Sequence, residues 1–257
     1  MEKIDCKRIL SACTALSEVE CFGLIPSTNL YARERLAREE LGVSLFVAEA
    51  QSAGRGRLGR SFLSPEGVGI YMTLVLPLES LPSPETLTVT AGVALCRVLE
   101  STYPTLSPSI KWVNDIYARD KKIAGILVEG VFSTNANPYA IVGIGINCSD
   151  GSFPEELAEI ATDISSITRE KVDRTDLICK ITNELMAQLG RDFSELVNDY
   201  RARSYLCGKQ IVVHPHEGDP YPALAQTVDE EGRLVVRLSD GTTEALSSAI
   251  VSVKKTQ

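Results

Sequence analysis

Between Gly54 and Arg60 the sequence reads GRGRLGR, with three glycines at the spacing G-x-G-x-x-G and three arginines among and after them. Glycines let successive backbone N–H groups converge on an anion, and a guanidinium presents a planar fork that fits a phosphate or a carboxylate. The stretch is therefore suited to clamping anions. Because glycines raise the entropy of a free loop and like charges repel, the loop is expected to move until an anion arrives.

A dinucleotide fold needs this motif to end a strand and open a helix whose N-terminal amides hold the pyrophosphate. Here VSLFVAE at 43–49 reads as the preceding strand, but RSFLSPEGVGIY contains Pro65, Gly67 and Gly69 and leads into another strand. A protein kinase does place such glycines between strands, yet no H-R-D, D-F-G or A-P-E follows, and no G-x-x-x-x-G-K-[ST] loop occurs. Judged alone, the stretch is also compatible with a surface loop whose arginines are solvated.

Further along, polar groups recur in apolar surroundings. KWVND, Lys111–Asp115, sets a lysine, an amide and a carboxylate in a strand-like segment, and Lys122 immediately precedes the run IAGILV. Buried groups of this kind need partners. The plain alternative is that Lys111 snorkels while Asn114 and Asp115 cap a turn.

The elements that must position these groups follow from hydrophobic period and punctuation. A short helix over 6–16 and a strand over 21–26 precede STNLYARERLAREELG, where the cap-type residues Ser27–Asn29 and the closing Gly42 predict a helix. Strands are expected at 43–49 and 68–77, a helix at 85–100 after Pro82 and Pro84, and strand character throughout SIKWVNDIYA. KIAGILVEGVF at 122–132 and PYAIVGIGINC at 138–148 read as strands joined by the turn STNAN. Helices are expected near 154–161 and across 173–203, a region that shows no chemistry of its own. From Cys207 onward, short strands broken by EGDP, DEEG and SDG read as a small β-barrel. His214 and His216 fit a turn of that barrel better than a metal site, and Trp112 reads as core.

At 257 residues, with 44% apolar and 23% charged side chains, the chain has the composition of an ordinary globular protein able to bury a sizeable core. A formal charge of −8 argues against general attraction to nucleic acid and makes the cationic stretch at 54–60 more informative. Seven scattered cysteines without a C-x-x-C pair are expected to be reduced packing residues of a cytosolic protein, and two histidines are too few for a zinc site. Apolar runs such as 69–77 and 139–146 are too short to span a bilayer, and no signal peptide is evident, so a cytoplasmic location without membrane attachment is expected.

Taken in order, STN at 27, AEAQSAGRGRLGRSFLSPEGVGIYMTLVL at 48, KWVND at 111, KIAGILVE at 122 and GIGIN at 143 resemble the biotin protein ligase family. The resemblance spans most of the first 150 residues. It implies an α+β fold: a catalytic domain over 1–204, similar to class II aminoacyl-tRNA synthetases, with a mixed, largely antiparallel sheet, and an SH3-like β-barrel over 205–257. Members that repress transcription carry a DNA-binding domain ahead of the S-T-N motif; with 26 residues before Ser27, the enzyme-only form is implied and DNA is not an expected partner. The implied reaction joins biotin and ATP into biotinyl-5′-AMP and passes the biotinyl group to a lysine of a carboxylase's biotin carboxyl carrier domain. An exposed sheet edge would allow a homodimer.

Because a carboxylate must approach an α-phosphate of like charge, cations that gain strength in the transition state are the main requirement. By family correspondence the catalytic candidates are Arg57, Lys111, Lys122 and Asp115. Lys122 would touch the biotin carboxylate and the α-phosphate, Arg57 the same region and Arg60 the leaving phosphates, with Gly54, Arg55, Gly56 and Gly125 around the ligand. Ser27, Thr28, Asn29 and Gln51 would bind the ureido ring, which offers both donors and an acceptor. Asn114 and Asp115 would serve the triphosphate and Mg²⁺, with Asp115 also orienting the incoming lysine. Phe62, standing near a usual tryptophan, would cover the adenine, and Asn147 would meet adenine or ribose. Val113 replaces a usual proline and is expected to continue the strand. The rivals are a lipoate or octanoate ligase on the related fold, against which the R-G-R-x-G-R loop and the barrel argue, and a non-catalytic biotin-binding module.

Overall fold

In the computed structural model, residues 2–78, 83–132, 138–149, 153–247 and 251–255 are described; Pro82 and the expected STNAN turn at 133–137 lie outside them. Helix α1 (Cys6–Ala12) starts on Asp5, whose carboxylate accepts from the Lys7 and Arg8 amides. Strand β1 (Glu18–Ile25) runs through α2 (Thr28–Leu36) into β2 (Ser44–Gln51), and this crossover makes the two strands parallel. The remaining strands of the sheet pair antiparallel: β3 (Gly69–Pro77), β4 (Ser109–Lys111), β5 (Asp115–Ala118), β6 (Lys121–Val131) and β7 (Tyr139–Asn147). The order is β1-β2-β3-β7-β6-β5-β4.

Among the described residues, five helices follow β3: α3 (Pro84–Thr102), α4 (Glu155–Ala158), α5 (Ile164–Thr168), α6 (Arg174–Gln188) and α7 (Phe193–Ala202). Strand alternation sorts what they cover. Ile70, Met72, Leu74 and Leu76 of β3, with Ala140, Val142, Ile144 and Ile146 of β7, join the large core that includes α3 and α6. Residues of opposite parity, Val75, Tyr139 and Ile141, pack instead with Phe46 and with Ala32 and Tyr31 of α2. By the same period Thr73, Gly143, Gly145, Gly125, Leu127 and Glu129 belong to that second face.

The helix expected across 173–203 is two helices. Asp173 caps α6 by accepting from the Asp176 amide at 2.9 Å, and after Gly190 the Asp192 carboxylate accepts from the Ser194 amide at 2.8 Å to begin α7. The strand expected through SIKWVNDIYA is a hairpin, with a turn over 112–114 between β4 and β5. Val113 therefore does not extend a strand. Its carbonyl accepts from the buried Tyr200 hydroxyl at 3.2 Å, and Trp112 Nε1 donates to the Gly232 carbonyl at 3.0 Å, so tertiary partners fix the bend.

Two other findings depart from the sequence reading. Cys6 and Cys21 form a disulfide, with Cα atoms 5.9 Å apart, because α1 folds back beside β1; Cys13, Cys96, Cys148, Cys179 and Cys207 are free. The 154–203 region, silent in sequence, supplies Arg174, which is 8% exposed and donates to Glu49 at 2.7 Å and to the Gly69 and Glu2 carbonyls. This buried pair fixes the end of β2 two residues before Gln51.

The final strands β8 (Gln210–Pro215), β9 (Tyr221–Val228), β10 (Leu234–Arg237), β11 (Thr243–Leu246) and β12 (Val251–Lys255) form an antiparallel sheet in the order β11-β10-β9-β8-β12. His214 lies within β8, opposite Ser252.

Candidate functional site

The glycine-arginine segment leaves β2 and returns as a narrow loop. Gln51 pairs with Ser64 and Arg55 with Ser61, while the Gly56 amide donates to the Arg60 carbonyl at 2.7 Å and the Phe62 amide to the Gly54 carbonyl at 2.9 Å. Gly54 stands where the two legs meet: a Cβ there would lie 2.7 Å from Ser64 Oγ.

Beneath the loop is a cavity of about 170 Å³. Arg55, Arg57 and Arg60 from the loop, Lys111 from β4 and Lys122 from β6 line it, against a single carboxylate among the described lining residues, Asp115. That imbalance suits an anionic ligand. Asp115 Oδ1 is buried and 2.6 Å from Lys122 Nζ, an ion pair without hydrogen-bond alignment. Arg57 donates to Asn114 Oδ1 at 3.2 Å, and Asn114 Nδ2 donates to the Ile126 carbonyl at 3.0 Å. Burial pulls the Arg57 guanidinium below its ordinary value, opposed by Asp115 and Glu85. A guanidinium stays charged regardless, so Arg57 is a desolvated cation, able to hold an incoming anion more strongly than a solvated one. Lys111 Nζ donates to Tyr117 at 3.2 Å; burial, then Asp115, pushes that phenol up to about 12, which keeps it neutral.

The floor consists of strand glycines. A Cβ on Gly145 would stand 2.6 Å from the Phe62 ring, one on Gly125 3.0 Å from Lys122 Nζ, and one on Gly143 2.8 Å from the Asn29 amide carbon. Their missing side chains let Phe62, Lys122 and Asn29 lie close to the sheet.

The opposite wall is neutral and polar. Ser27 is the N-cap residue of α2, yet its hydroxyl makes no cap bond. The Thr28 amide donates to Gln51 Oε1 at 2.8 Å, and Gln51 Nε2 donates to Ser64 Oγ at 2.9 Å. Thr73 Oγ1, fully buried, is 2.7 Å from both Thr28 Oγ1 and Asn29 Oδ1. Asn29 Nδ2 donates to Glu129 Oε2 at 2.9 Å. Hydroxyls and amides thus face cations across the strand floor, where Leu127 adds an apolar side chain, an arrangement that suits a ligand with a polar head, an apolar body and an acid tail.

Relatives identify the fold that carries this cavity. The sequence profile of the Biotin/lipoate A/B protein ligase family matches residues 22–147, and that of the Biotin protein ligase C terminal domain matches 206–254. The bifunctional ligase/repressor BirA of Bacillus spizizenii is 32% identical over 237 residues, spanning 88% of this chain and 71% of its own. The chain belongs to the biotin protein ligase family. A biotin–[acetyl-CoA-carboxylase] ligase of Paracoccus denitrificans is 30% identical over 82% of this chain and 90% of its own. Biotin protein ligase from Aquifex aeolicus, solved in complex with biotin and ATP, has a TM-score of 0.81 at 26% identity, spanning 94% of this chain and 100% of its own. The α+β architecture with its mixed sheet and small C-terminal sheet is that of the biotin protein ligases.

Of the residues picked out in the sequence, the cavity collects Ser27, Thr28, Asn29, Gln51, Arg55, Gly56, Arg57, Arg60, Phe62, Lys111, Asn114, Asp115, Lys122 and Gly125. Gly54 sits at the neck of the loop instead. Asn147 donates to the Thr162 carbonyl at 3.0 Å and lines a separate recess, beyond Tyr71, with Leu63 and Phe153. Trp112 is buried, as expected of core, but also lines the cavity. Sequence reading passed over Thr73, Glu129, Gly143 and Gly145, although the period of two in β3, β6 and β7 puts them all on one face. Tyr200 and Arg174 gave no local signal, because their partners are 87 and 125 residues away. Among the described residues there is no cluster of three or more metal-ligating side chains and no helix long and apolar enough to cross a membrane.

Proposed function

We infer that this chain is an ATP-dependent, AMP-forming biotin–[acetyl-CoA-carboxylase] ligase, which makes biotinyl-5′-AMP and transfers biotin to a lysine of a biotin carboxyl carrier domain. The reading rests on one observation above all: a single cavity joins an amide-and-hydroxyl wall to five cationic side chains, three on the loop and two beneath it. The ureido ring would meet Ser27, Thr28, Asn29 and Gln51, and the valeryl chain the apolar strand residues. The carboxylate would then reach Lys122 and Arg57.

A carboxylate oxygen attacks the α-phosphorus of ATP, the bond to the bridging oxygen breaks, and pyrophosphate leaves. Lys122 and Arg57 would offset the charge gathering on the α-phosphate, Arg60 and Lys111 would hold the outer phosphates, and Arg55 would help close the loop around biotin, positioned before the reaction rather than recruited during it. In the second step a neutral lysine amine of the carrier attacks the acyl carbon and AMP departs. Asp115, released from Lys122 as that cation turns to the ligand, would orient the amine. Phe62 and Asn114 would face the nucleotide.

Asp115, the single carboxylate among the described lining residues, beside the Asn114 amide, is a donor set that fits Mg²⁺ carried in on the triphosphate, since Mg²⁺ usually takes one or two carboxylates and completes its shell with phosphate and water. Bound there, the ion would neutralise phosphate charge. The cytoplasm as the site of action, and a division into a catalytic unit over 1–204 and a barrel over 205–257, complete the proposal. The C-terminal profile match supports biotin over lipoate.

The test is mass spectrometry of an unmodified carrier domain incubated with the chain, ATP and biotin. One lysine should gain a biotinyl group, and omission of ATP should prevent it. An unmodified carrier after prolonged incubation would refute the transfer step.

A further inference from the structure

Glu129 lies behind the polar wall, bonded to Asn29 and 15% exposed, and the reaction described above gives it no task. Its Oε2 accepts from Asn29 Nδ2 at 2.9 Å, while Arg33 at 2.9 Å and Arg55 at 3.4 Å balance its charge through Oε1. An ionised carboxylate can only accept hydrogen bonds. Asn29 must therefore present its NH₂ to Glu129, and the second donor of that NH₂ has the Leu127 carbonyl 3.4 Å away. The Asn29 carbonyl oxygen is then turned toward Thr73, whose one hydroxyl proton it takes at 2.7 Å. With its only proton committed to Asn29, Thr73 Oγ1 can satisfy the 2.7 Å contact with Thr28 Oγ1 only as acceptor, so the Thr28 hydroxyl turns to Thr73 in preference to Gln51 Oε1 at 3.2 Å.

We propose that Glu129 is a positioning residue that sets the polarity of the wall, so that the Thr28 oxygen shows lone pairs, not a proton, to the cavity. The inference rests on the biotin reading and deepens it. Every proton in the chain from Thr28 through Thr73 and Asn29 points toward Glu129, so the wall accepts. A head group rich in N–H donors, such as a cyclic urea, fits; an acid whose far end carries no donor gains nothing there. Specificity for the head group thus originates from a carboxylate two partners removed from Thr28. Glutamine at 129 could donate as well as accept, which frees Asn29 to flip and removes the fixed direction.

The experiment compares wild type with Glu129→Gln, Thr73→Val and the double variant, measuring pyrophosphate release with biotin and with octanoate. Loss of one charge-assisted hydrogen bond predicts a biotin KM about tenfold higher in Glu129→Gln, with the ATP KM unchanged and kcat within about threefold. Preference for biotin over octanoate should fall by the same factor. Thr73→Val cuts the same chain and should match it, and the double variant should be no worse than either alone. If Glu129→Gln does not fold, Thr73→Val carries the KM test by itself. An unchanged biotin KM in the folded variants, or fully additive effects, would overturn the proposal. Wild type without biotin-dependent release would instead overturn the functional reading on which it rests.

Discussion

Replacing Gly143 with alanine adds one methyl group to the cavity floor and offers a stringent check on the site. Gly143 pairs with Thr73 and Leu127 in regular strand geometry, so the backbone accepts alanine, and the stiffer unfolded chain should favour folding by about 0.4–1 kcal/mol. The new Cβ, however, would sit 2.8 Å from Asn29 Cγ and 2.9 Å from Nδ2. Asn29 must move, losing its bonds to Glu129, Thr73 and the Leu127 carbonyl. With a charge-assisted bond worth about 1.5–3 kcal/mol and neutral ones about 0.5–1.5, and allowing for partial replacement by water, the loss is about 2–3 kcal/mol. After the backbone gain, net destabilisation is about 1–2 kcal/mol, a fall in Tm of roughly 3–6 °C for a chain of this size. The displaced carboxamide enters the volume assigned to the ligand, so biotin affinity should drop by about thirtyfold or more, equivalent to about 2 kcal/mol. Titration calorimetry with biotin and thermal unfolding measure both effects. Gly23→Ala in β1, where no heavy atom lies within 4 Å of the added Cβ, should leave biotin affinity unchanged and keep only the backbone gain of about 0.4–1 kcal/mol. A Gly143→Ala protein binding biotin within about threefold of wild type would refute the placement of the head group against Asn29.

Three other outcomes are expected. Asp115→Asn should slow both adenylation and transfer from supplied biotinyl-5′-AMP by at least about tenfold, measured in separate assays; full transfer activity would remove the lysine-orienting role. Backbone amides over 54–60 should exchange more slowly with biotin and ATP bound than in the free chain, and equal exchange would show that the loop does not respond to ligand. Burial alone would raise the Asp199 carboxyl, but hydrogen bonding from Arg191 and the charges of Arg203, Arg191 and Arg97 hold it below its usual range. A depressed folded-state value adds stability above the unfolded value near 4 and loses it as pH falls through the folded value. Asp199→Asn should therefore be less stable than wild type by a constant margin above about pH 5, with the margin shrinking below about pH 4; a margin that persists in acid would exclude the ion pairs as its source.

Much of the site was legible because its chemistry is local. GRGRLGR, KWVND and S-T-N each place their polar groups within a few residues, and strand or helix-start geometry carries them to one cavity. Elements were legible where period and caps agree: α3 spans Pro84–Thr102, beginning on Ser83, against an expectation of 85–100. The reading failed where distant partners decide. Tyr200 and Gly232 hold the turn at Trp112 and Val113, which apolar character alone presents as continuous strand. The disulfide between Cys6 and Cys21 depends on α1 returning beside β1, which no cysteine spacing encodes. Glu129 looked like the polar end of an apolar strand, and its importance emerges only once Asn29 and Arg33 of α2 and Arg55 of the loop surround it.

The most direct measurement is pyrophosphate release from ATP by the purified chain given biotin, lipoate or no acid. Biotin alone should drive release, and Lys122→Met should abolish it without lowering Tm by more than a few degrees. Release with lipoate at an equal rate, or no release with any acid, would contradict the assignment of the cavity to biotin activation.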